Sequence, residues 1–178
     1  MKPKLILCLA LVLSGGLFGC STAVTNVNTS APNRLSDLPI RYHNSRYDFT
    51  FFLPTSWQGY SVLIQQWEGQ TYSAAVDRLV VTGHGSMIVL RHPQWKASDP
   101  YQDIPILVFT RSQWDALHQG KFFPSLYAGG TMDEMWHNRK YVFAISSRYN
   151  WGELKGWAEA GEIVEQNRAA GRPHLYPE

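Results

Sequence analysis

The sequence predicts a single α+β domain, an antiparallel sheet packed by a short middle helix and a C-terminal helix. Three observations lead to this fold class. Apolar and polar residues alternate with a period of two in the first strand-like run, further strand-like runs are grouped together, and helical signals are few and late in the chain. The chain has 178 residues and is 44% hydrophobic, which suits one domain with its own core.

The first hairpin is predicted between residues 40 and 53. Aromatic and aliphatic residues recur at every second position up to Pro54, which ends the run: Tyr47, Phe49, Phe51 and Leu53. Asn44 and Ser45 supply a turn before this strand, so residues 40–43 are expected to pair with it.

Further strands are predicted at residues 60–67, 87–91 and 106–109, and residues 131–136 and 141–147 are expected to form a second hairpin around His137 to Lys140. Between residues 68 and 86 the pattern is less regular. There, a glycine turn with an exposed histidine is predicted at Gly83, His84, Gly85 and Ser86. This string lacks the second glycine of a serine nucleophile elbow, which argues against serine catalysis.

Two helices complete the predicted fold. Thr110 and Gln113 have the spacing of a capping box, which predicts a helix over residues 111–119 that stops at Gly120. A second helix is predicted over residues 151–166, with Asn150 as its N-cap and Glu153 reaching back to it. One face of that helix should carry Leu154, Trp157, Gly161 and Val164.

The N-terminus has the layout of a secretory signal peptide, a basic start followed by an apolar run that is shorter than the about 20 residues of a membrane span. The run ends in Leu17, Phe18, Gly19 and Cys20, which resembles the bacterial lipobox, with Phe18 where a small residue is usual. The resemblance implies acylation of Cys20 and a membrane anchor on the periplasmic or extracellular side. In a diderm host, Ser21 after the acylated cysteine implies the outer membrane.

The predicted organisation is a signal peptide at residues 1–19, a flexible tether at 20–38 and the domain at 39–178. The alternative to acylation is ordinary cleavage nearby, which would release a soluble secreted protein. The only other cysteine, Cys8, lies in the leader, so the mature chain can form no internal disulfide and has no free thiol nucleophile.

Charge argues against a nucleic-acid partner. The chain has 16 Lys and Arg against 14 Asp and Glu, and two of the basic residues, Lys2 and Lys4, belong to the leader. The remaining 14 against 14 leave no net charge for binding phosphates.

A resemblance covers the first hairpin. The string of Tyr47, Phe49, Phe51, Leu53, Pro54 and Trp57 is similar to the opening of Mog1/PsbP-like domains. These domains place an antiparallel sheet between helices and end in a C-terminal helix, and they imply accessory or binding work without shared catalytic residues. The middle of the chain, around Arg91 to Trp95, is similar instead to uncharacterised secreted bacterial proteins.

No metal site, cofactor or catalytic residue is predicted. The six histidines form no pair with metal-ligand spacing: His43, His84, His92, His118, His137 and His174. Asp133 and Glu134 are adjacent on a predicted strand, so they point to opposite faces. Glu68 could act with one of them across the sheet, which keeps glycan hydrolysis open as an alternative.

Seven tryptophans are the most suggestive feature of the composition, because Trp offers a large rigid surface for sugar rings or protein partners. Trp57, Trp114 and Trp157 fit core positions. Trp95 instead lies in a polar loop, and loops carry binding residues more often than packing residues. The predicted binding patch is therefore His92, Trp95, Tyr101 and Asp103. The alternative is that Trp95 folds back onto the sheet.

Together these observations predict a lipid-anchored protein of the bacterial cell envelope, a non-catalytic binding or accessory module. Its expected partners are the membrane, through the anchor, and an envelope protein or glycan, with no nucleic acid. The alternative is a small envelope glycan hydrolase that uses Glu68 or Asp133 with a histidine.

Overall fold

The structure is a computed structural model, and it describes residues 40–125 and 130–171. The predicted signal peptide, Cys20, the tether and His174 lie outside the described residues. Within them the chain forms an antiparallel six-stranded sheet, a separate two-stranded hairpin and two helices. This confirms the predicted α+β fold with a middle helix and a C-terminal helix.

The eight strands form two antiparallel sheets. β1 (Ile40–Asn44) and β2 (Phe49–Leu53) form the hairpin that the alternating aromatic pattern predicts. The larger sheet has the order β6-β3-β4-β5-β8-β7. Its members are β3 (Ser61–Ser73), β4 (Arg78–Arg91), β5 (Ile104–Thr110), β6 (Phe123–Pro124), β7 (Met132–His137) and β8 (Tyr141–Ser146).

The centre of the large sheet is buried on both faces. Ile88 and Leu90 of β4 pack into one core with residues of β2 and α2 (Trp157–Gly171). Met87 and Val89 point the other way, into a second core that α1 (Arg111–His118) helps to cover. Because both faces are covered, β5 is apolar and buried from Ile104 through Phe109 with no polar alternation.

β3 and β4 are longer than the sequence predicts. β3 and β4 form one long hairpin, and Gly83 to Ser86 lie inside β4, so the predicted glycine turn is wrong. Close packing explains Gly85 better than a turn does. A Cβ at Gly85 would lie 2.5 Å from the indole of Trp67, which is fully buried across the ladder.

Beyond Gly83 the hairpin continues as an arm, defined here as residues 71–81 with their connecting turn. Among the described residues, Thr71 to Ser73 pair only with Arg78 to Val80, and Val81 pairs with Gln70. Pairing with β6 ends at Gln70 and pairing with β5 ends at Met87, so no third strand of the described chain flanks the arm. Tyr72, Leu79 and Val81 are exposed on it.

The first helix is confirmed. Thr110 Oγ1 accepts a hydrogen bond from the backbone N–H of Gln113 at 3.2 Å, and the Gln113 side chain accepts one from the Thr110 N–H at 2.8 Å. Gly120, at φ +67°, follows the end of the helix, where the left-handed region suits glycine.

The second helix begins six residues later than predicted, at Trp157. Glu153 and Gly156 have φ of +45° and +76°, which a right-handed helix cannot contain, so Asn150 is not its N-cap. The buried face is formed by Ala160, Ile163 and Val164. Leu154 and Trp157 are exposed, which corrects their assignment to the core.

Candidate functional site

Two loops dock against each other at one end of the large sheet. The first loop, residues 92–103, connects β4 to β5, and the second loop, residues 147–156, connects β8 to α2. The backbone N–H of Gln102 donates to the carbonyl of Lys155 at 2.8 Å, and the Gln102 amide donates to the carbonyl of Tyr149 at 3.1 Å. Lys155 also forms an ion pair with Asp99 at 3.1 Å. The two loops therefore form one surface.

The four residues of the predicted binding patch form two groups in the first loop. His92 is buried and stacks on Tyr101, with ring centroids 3.7 Å apart. Asp103 holds the guanidinium of Arg91 at 2.7 Å, and that guanidinium lies 3.8 Å from the centre of the Trp95 ring. Trp95, Tyr101 and Asp103 remain half-buried. These side chains therefore bury much of their surface in contacts within the loop and with Arg91. The Trp95 ring packs on the Arg91 guanidinium.

His92 is a packing residue in its neutral form. Its Nδ1 accepts a hydrogen bond from the backbone N–H of Gln94 at 3.1 Å, so the neutral ring carries its proton on Nε2. Burial lowers the pKa of His92, although Glu159 and the backbone of Ser56 oppose the shift. Ser56 is near enough for that effect, but buried Nε2 makes no hydrogen bond of normal geometry to the described residues.

The second loop presents aromatic surface instead of hiding it. Trp151 is 66% exposed and Trp157, the first residue of α2, is 43% exposed. With Asn150 and Glu153 they line a shallow pocket of about 320 Å³. The Arg148 guanidinium lies 4.1 Å from the centre of the Trp151 ring and supports it. The pocket joins two aromatic faces to an amide and a carboxylate.

A second pocket, of about 300 Å³, continues along α2 and shares Asn150 with the first. Gly161 borders it, one helical turn beyond Trp157. Arg168 lies eleven residues beyond Trp157, or about 16 Å along the helix axis. We call the two pockets together the α2 groove. The residues that line its second half include Asp133, Tyr149, Asn150, Gly161, Glu165 and Arg168.

Charges of both signs meet in the second half of the α2 groove. Arg168 pairs with Glu165 at 2.9 Å and lies 4.0 Å from Asp133. Burial raises the pKa of Tyr149 to about 12, so its hydroxyl stays protonated. That hydroxyl and Nε of Arg168 are closed to solvent and have no hydrogen-bond partner among the described residues.

The sequence pattern does not reveal this groove, because it predicts a helix over residues 151–166 where the second loop lies. That pattern places Trp157 in the core, makes Asn150 the N-cap and puts Trp151 and Glu153 in the first turn of the helix. One local signal was present. Gly152 and Gly156 place two glycines within five residues, which is more typical of a loop than of a helix interior.

The carboxylates considered for glycan hydrolysis are dispersed. Glu68 lies directly opposite His84 in the β3–β4 ladder, and both are exposed. Asp133 is on β7, and three strands separate β7 from β3, or about 19 Å along the sheet at ordinary strand spacing. A hydrolytic pair is held about 5 to 9.5 Å apart, closer than this spacing along the sheet places Glu68 and Asp133, so the strand order does not favour their pairing across the sheet.

Residues 40–125 and 130–171 contain neither a cluster of metal ligands nor a membrane-spanning helix. That part of the chain contains no group of three or more His, Cys, Asp or Glu side chains able to hold a metal ion. It also contains no helix with the length and hydrophobicity needed to cross a bilayer.

Comparison of the chain with protein-family models, curated proteins and solved structures found no match. The resemblance of the first hairpin to Mog1/PsbP-like domains therefore stays a prediction.

Proposed function

We propose that this chain is a lipid-anchored protein of the bacterial cell envelope that works as a non-catalytic binding or accessory module. The anchor is Cys20, attached through the tether at residues 20–38, and the ligand is an envelope protein or glycan. The observation that carries the binding role is the pair of exposed tryptophans, Trp151 and Trp157, beside a pocket on the two-loop surface. Exposed aromatic surface around a concavity is typical of binding sites.

The lipobox-like string supports the location. An acyl chain contributes about 0.8 kcal/mol per buried CH2, so several chains on one cysteine hold a protein firmly at a membrane. In a diderm host we expect the anchor to lie in the outer membrane, because Ser21 follows the cysteine.

The first test is purification of the tagged full-length chain from its own host in mild detergent, with mass spectrometry of the Cys20 peptide and of co-purifying material. We expect acylated Cys20 and one stoichiometric protein or glycan. The matched control is Cys20→Ser, which should lack the lipid and should no longer need detergent for its extraction. An unmodified N-terminus and no bound partner would overturn the proposal. Glycan cleavage that Glu68→Gln abolishes would instead support the hydrolase.

A further inference from the structure

We infer that the α2 groove binds a strand of neutral pyranose sugars, with rings on Trp151 and Trp157 and hydroxyls hydrogen-bonded toward Arg168. This inference rests on the proposed binding function and adds to it the place and the chemical class of the ligand. Four features of the groove favour sugars over other ligands.

The aromatic half of the groove offers flat apolar faces. Trp151 is 66% exposed while the Arg148 guanidinium supports its ring at 4.1 Å, so the ring is both open and held in place. Trp157 is fixed at the start of α2. A pyranose ring has a face of C–H groups that packs on such a surface, and a rigid indole loses little conformational entropy on binding.

The polar half offers groups that a sugar hydroxyl can satisfy. The side chains of Asn150 and Glu153 line the first pocket without a hydrogen bond or ion pair to any described residue. At the second pocket the carboxylates of Asp133 and Glu165 and the guanidinium of Arg168 add further hydrogen-bonding groups. Hydroxyls both donate and accept, so one ligand type can meet amides, carboxylates and N–H donors.

The charge of the groove favours a neutral ligand. Three carboxylates, those of Asp133, Glu153 and Glu165, line it together with one guanidinium, that of Arg168. The carboxylates repel a phosphate-bearing ligand, and Arg168, which pairs with Glu165 and lies 4.0 Å from Asp133, offsets much of the attraction for a basic peptide.

The backbone supports a ligand site at the same place. Glu153 is a non-glycine residue at φ +45°, a conformation that clusters at ligand-binding positions because it costs free energy. It turns the chain between the two exposed tryptophans. The groove also follows α2 for about 16 Å from Trp157 to Arg168, which suits several rings in line better than one.

The experiment titrates the full chain in mild detergent with chitohexaose and with cellohexaose, followed by isothermal calorimetry and tryptophan fluorescence. We expect at least one hexasaccharide to bind, and Trp151→Ala and Trp157→Ala each to weaken it tenfold or more. The urea midpoint of Trp151→Ala should stay that of the parent chain. Tyr72→Ala, an exposed aromatic on the arm, is the matched control and should leave binding unchanged.

Gly161→Ala separates binding from folding. A Cβ there would lie 3.8 Å from Nδ2 of Asn150 and 3.9 Å from the Tyr149 hydroxyl, ordinary contact distances, so the chain has room for it. Alanine favours a helix over glycine, so the urea midpoint should rise while the added methyl group narrows the groove and weakens binding. A midpoint and an affinity that rise together would contradict the assignment.

The outcomes separate this inference from the proposed function. Failure of both hexasaccharides to bind overturns the sugar assignment. If a stoichiometric protein partner is then lost in Trp151→Ala, the binding module stands and the groove is a protein-binding surface. Mass-spectrometric cleavage products from a bound hexasaccharide would overturn the non-catalytic role while leaving the ligand class in place.

Discussion

The two loops at the end of the sheet each set a tryptophan against an arginine, yet they use it differently. In the first loop Asp103 fixes Arg91, Arg91 supports Trp95, and His92 and Tyr101 stack beside them. In the second loop Trp151 keeps two thirds of its surface exposed. A tryptophan in a polar loop is therefore not by itself a binding residue. What distinguishes the two is how much of the ring remains open after its neighbours have packed on it.

The largest effect is expected where the two loops touch. Gly156 has φ +76°, and a Cβ there would lie 1.9 Å from the Tyr101 ring. Gly156→Ala should lower the free energy of unfolding by roughly 2–5 kcal/mol, from left-handed strain and overpacking together. Urea denaturation followed by circular dichroism measures it. Gly152→Ala is the matched control, since its Cβ meets only Leu154 at 3.9 Å. Equal effects of the two changes would refute the docking of the loops.

The next effect concerns the ion pair that fixes Trp95. Asp103→Asn removes the charge that holds Arg91 in a partly buried site, and we expect a loss of about 1–2 kcal/mol in unfolding free energy. Asp99→Asn breaks a more exposed pair with Lys155 and should cost about 0.5 kcal/mol or less. Urea titration of both variants checks the order. A larger loss of unfolding free energy in Asp99→Asn would show that the exposed pair of Asp99 with Lys155 stabilises the first loop more than the pair of Arg91 with Asp103.

Acid should act on the first loop through His92. Burial lowers the pKa of His92 below its usual value, so the unfolded chain takes up this proton first as pH falls. The contribution of His92 to stability is present above pH about 6.5 and is lost as pH falls toward its folded pKa. Unfolding free energies measured between pH 7.5 and 5 test this. His92→Phe, which keeps a ring on Tyr101, should flatten the pH dependence of the unfolding free energy. An unchanged slope would rule out His92 as its source.

The smallest stability effect is expected in the second loop. Trp151→Ala should change the unfolding free energy by less than about 0.5 kcal/mol, because most of the ring already faces solvent. Trp95→Ala should cost about 1 kcal/mol or more, since it leaves Arg91 uncovered. Thermal and urea melts of the two variants measure the difference. Reversal of their order would mean that the exposed tryptophan, and not the packed one, supports the fold.

Local signals in the sequence predicted those elements whose determinants lie within a few residues. The alternation from Tyr47 to Leu53 gave the first hairpin, and Thr110 with Gln113 gave the start of α1. The glycines of β4 were misread because Gly85 is explained by Trp67, which is eighteen positions away in the chain. A glycine that makes room for a distant indole has the same local appearance as one that makes a turn.

The candidate site shows the same limit. The grouping of His92, Trp95, Tyr101 and Asp103 could be predicted from their shared loop, but not their inward packing, which depends on Arg91 and on the second loop. The α2 groove depends on two backbone positions at positive φ, and one of them, Glu153, is a residue that ordinarily suits a helix start. Helix propensity favours a helix at these positions, whereas the observed loop packs Gly156 against the Tyr101 ring.

The hydrogen bonds of the arm at residues 71–81 should open more often than those at the centre of the large sheet. The ladder of the arm is two strands wide, whereas Ile88 and Leu90 of the same strand lie in the middle of six. A two-stranded ribbon is marginally stable on its own, so the arm can open and reclose many times while the centre stays shut. Its amides should therefore exchange with solvent early, and a protease should cut near Ala74 and Ala75 in a protein whose core remains folded.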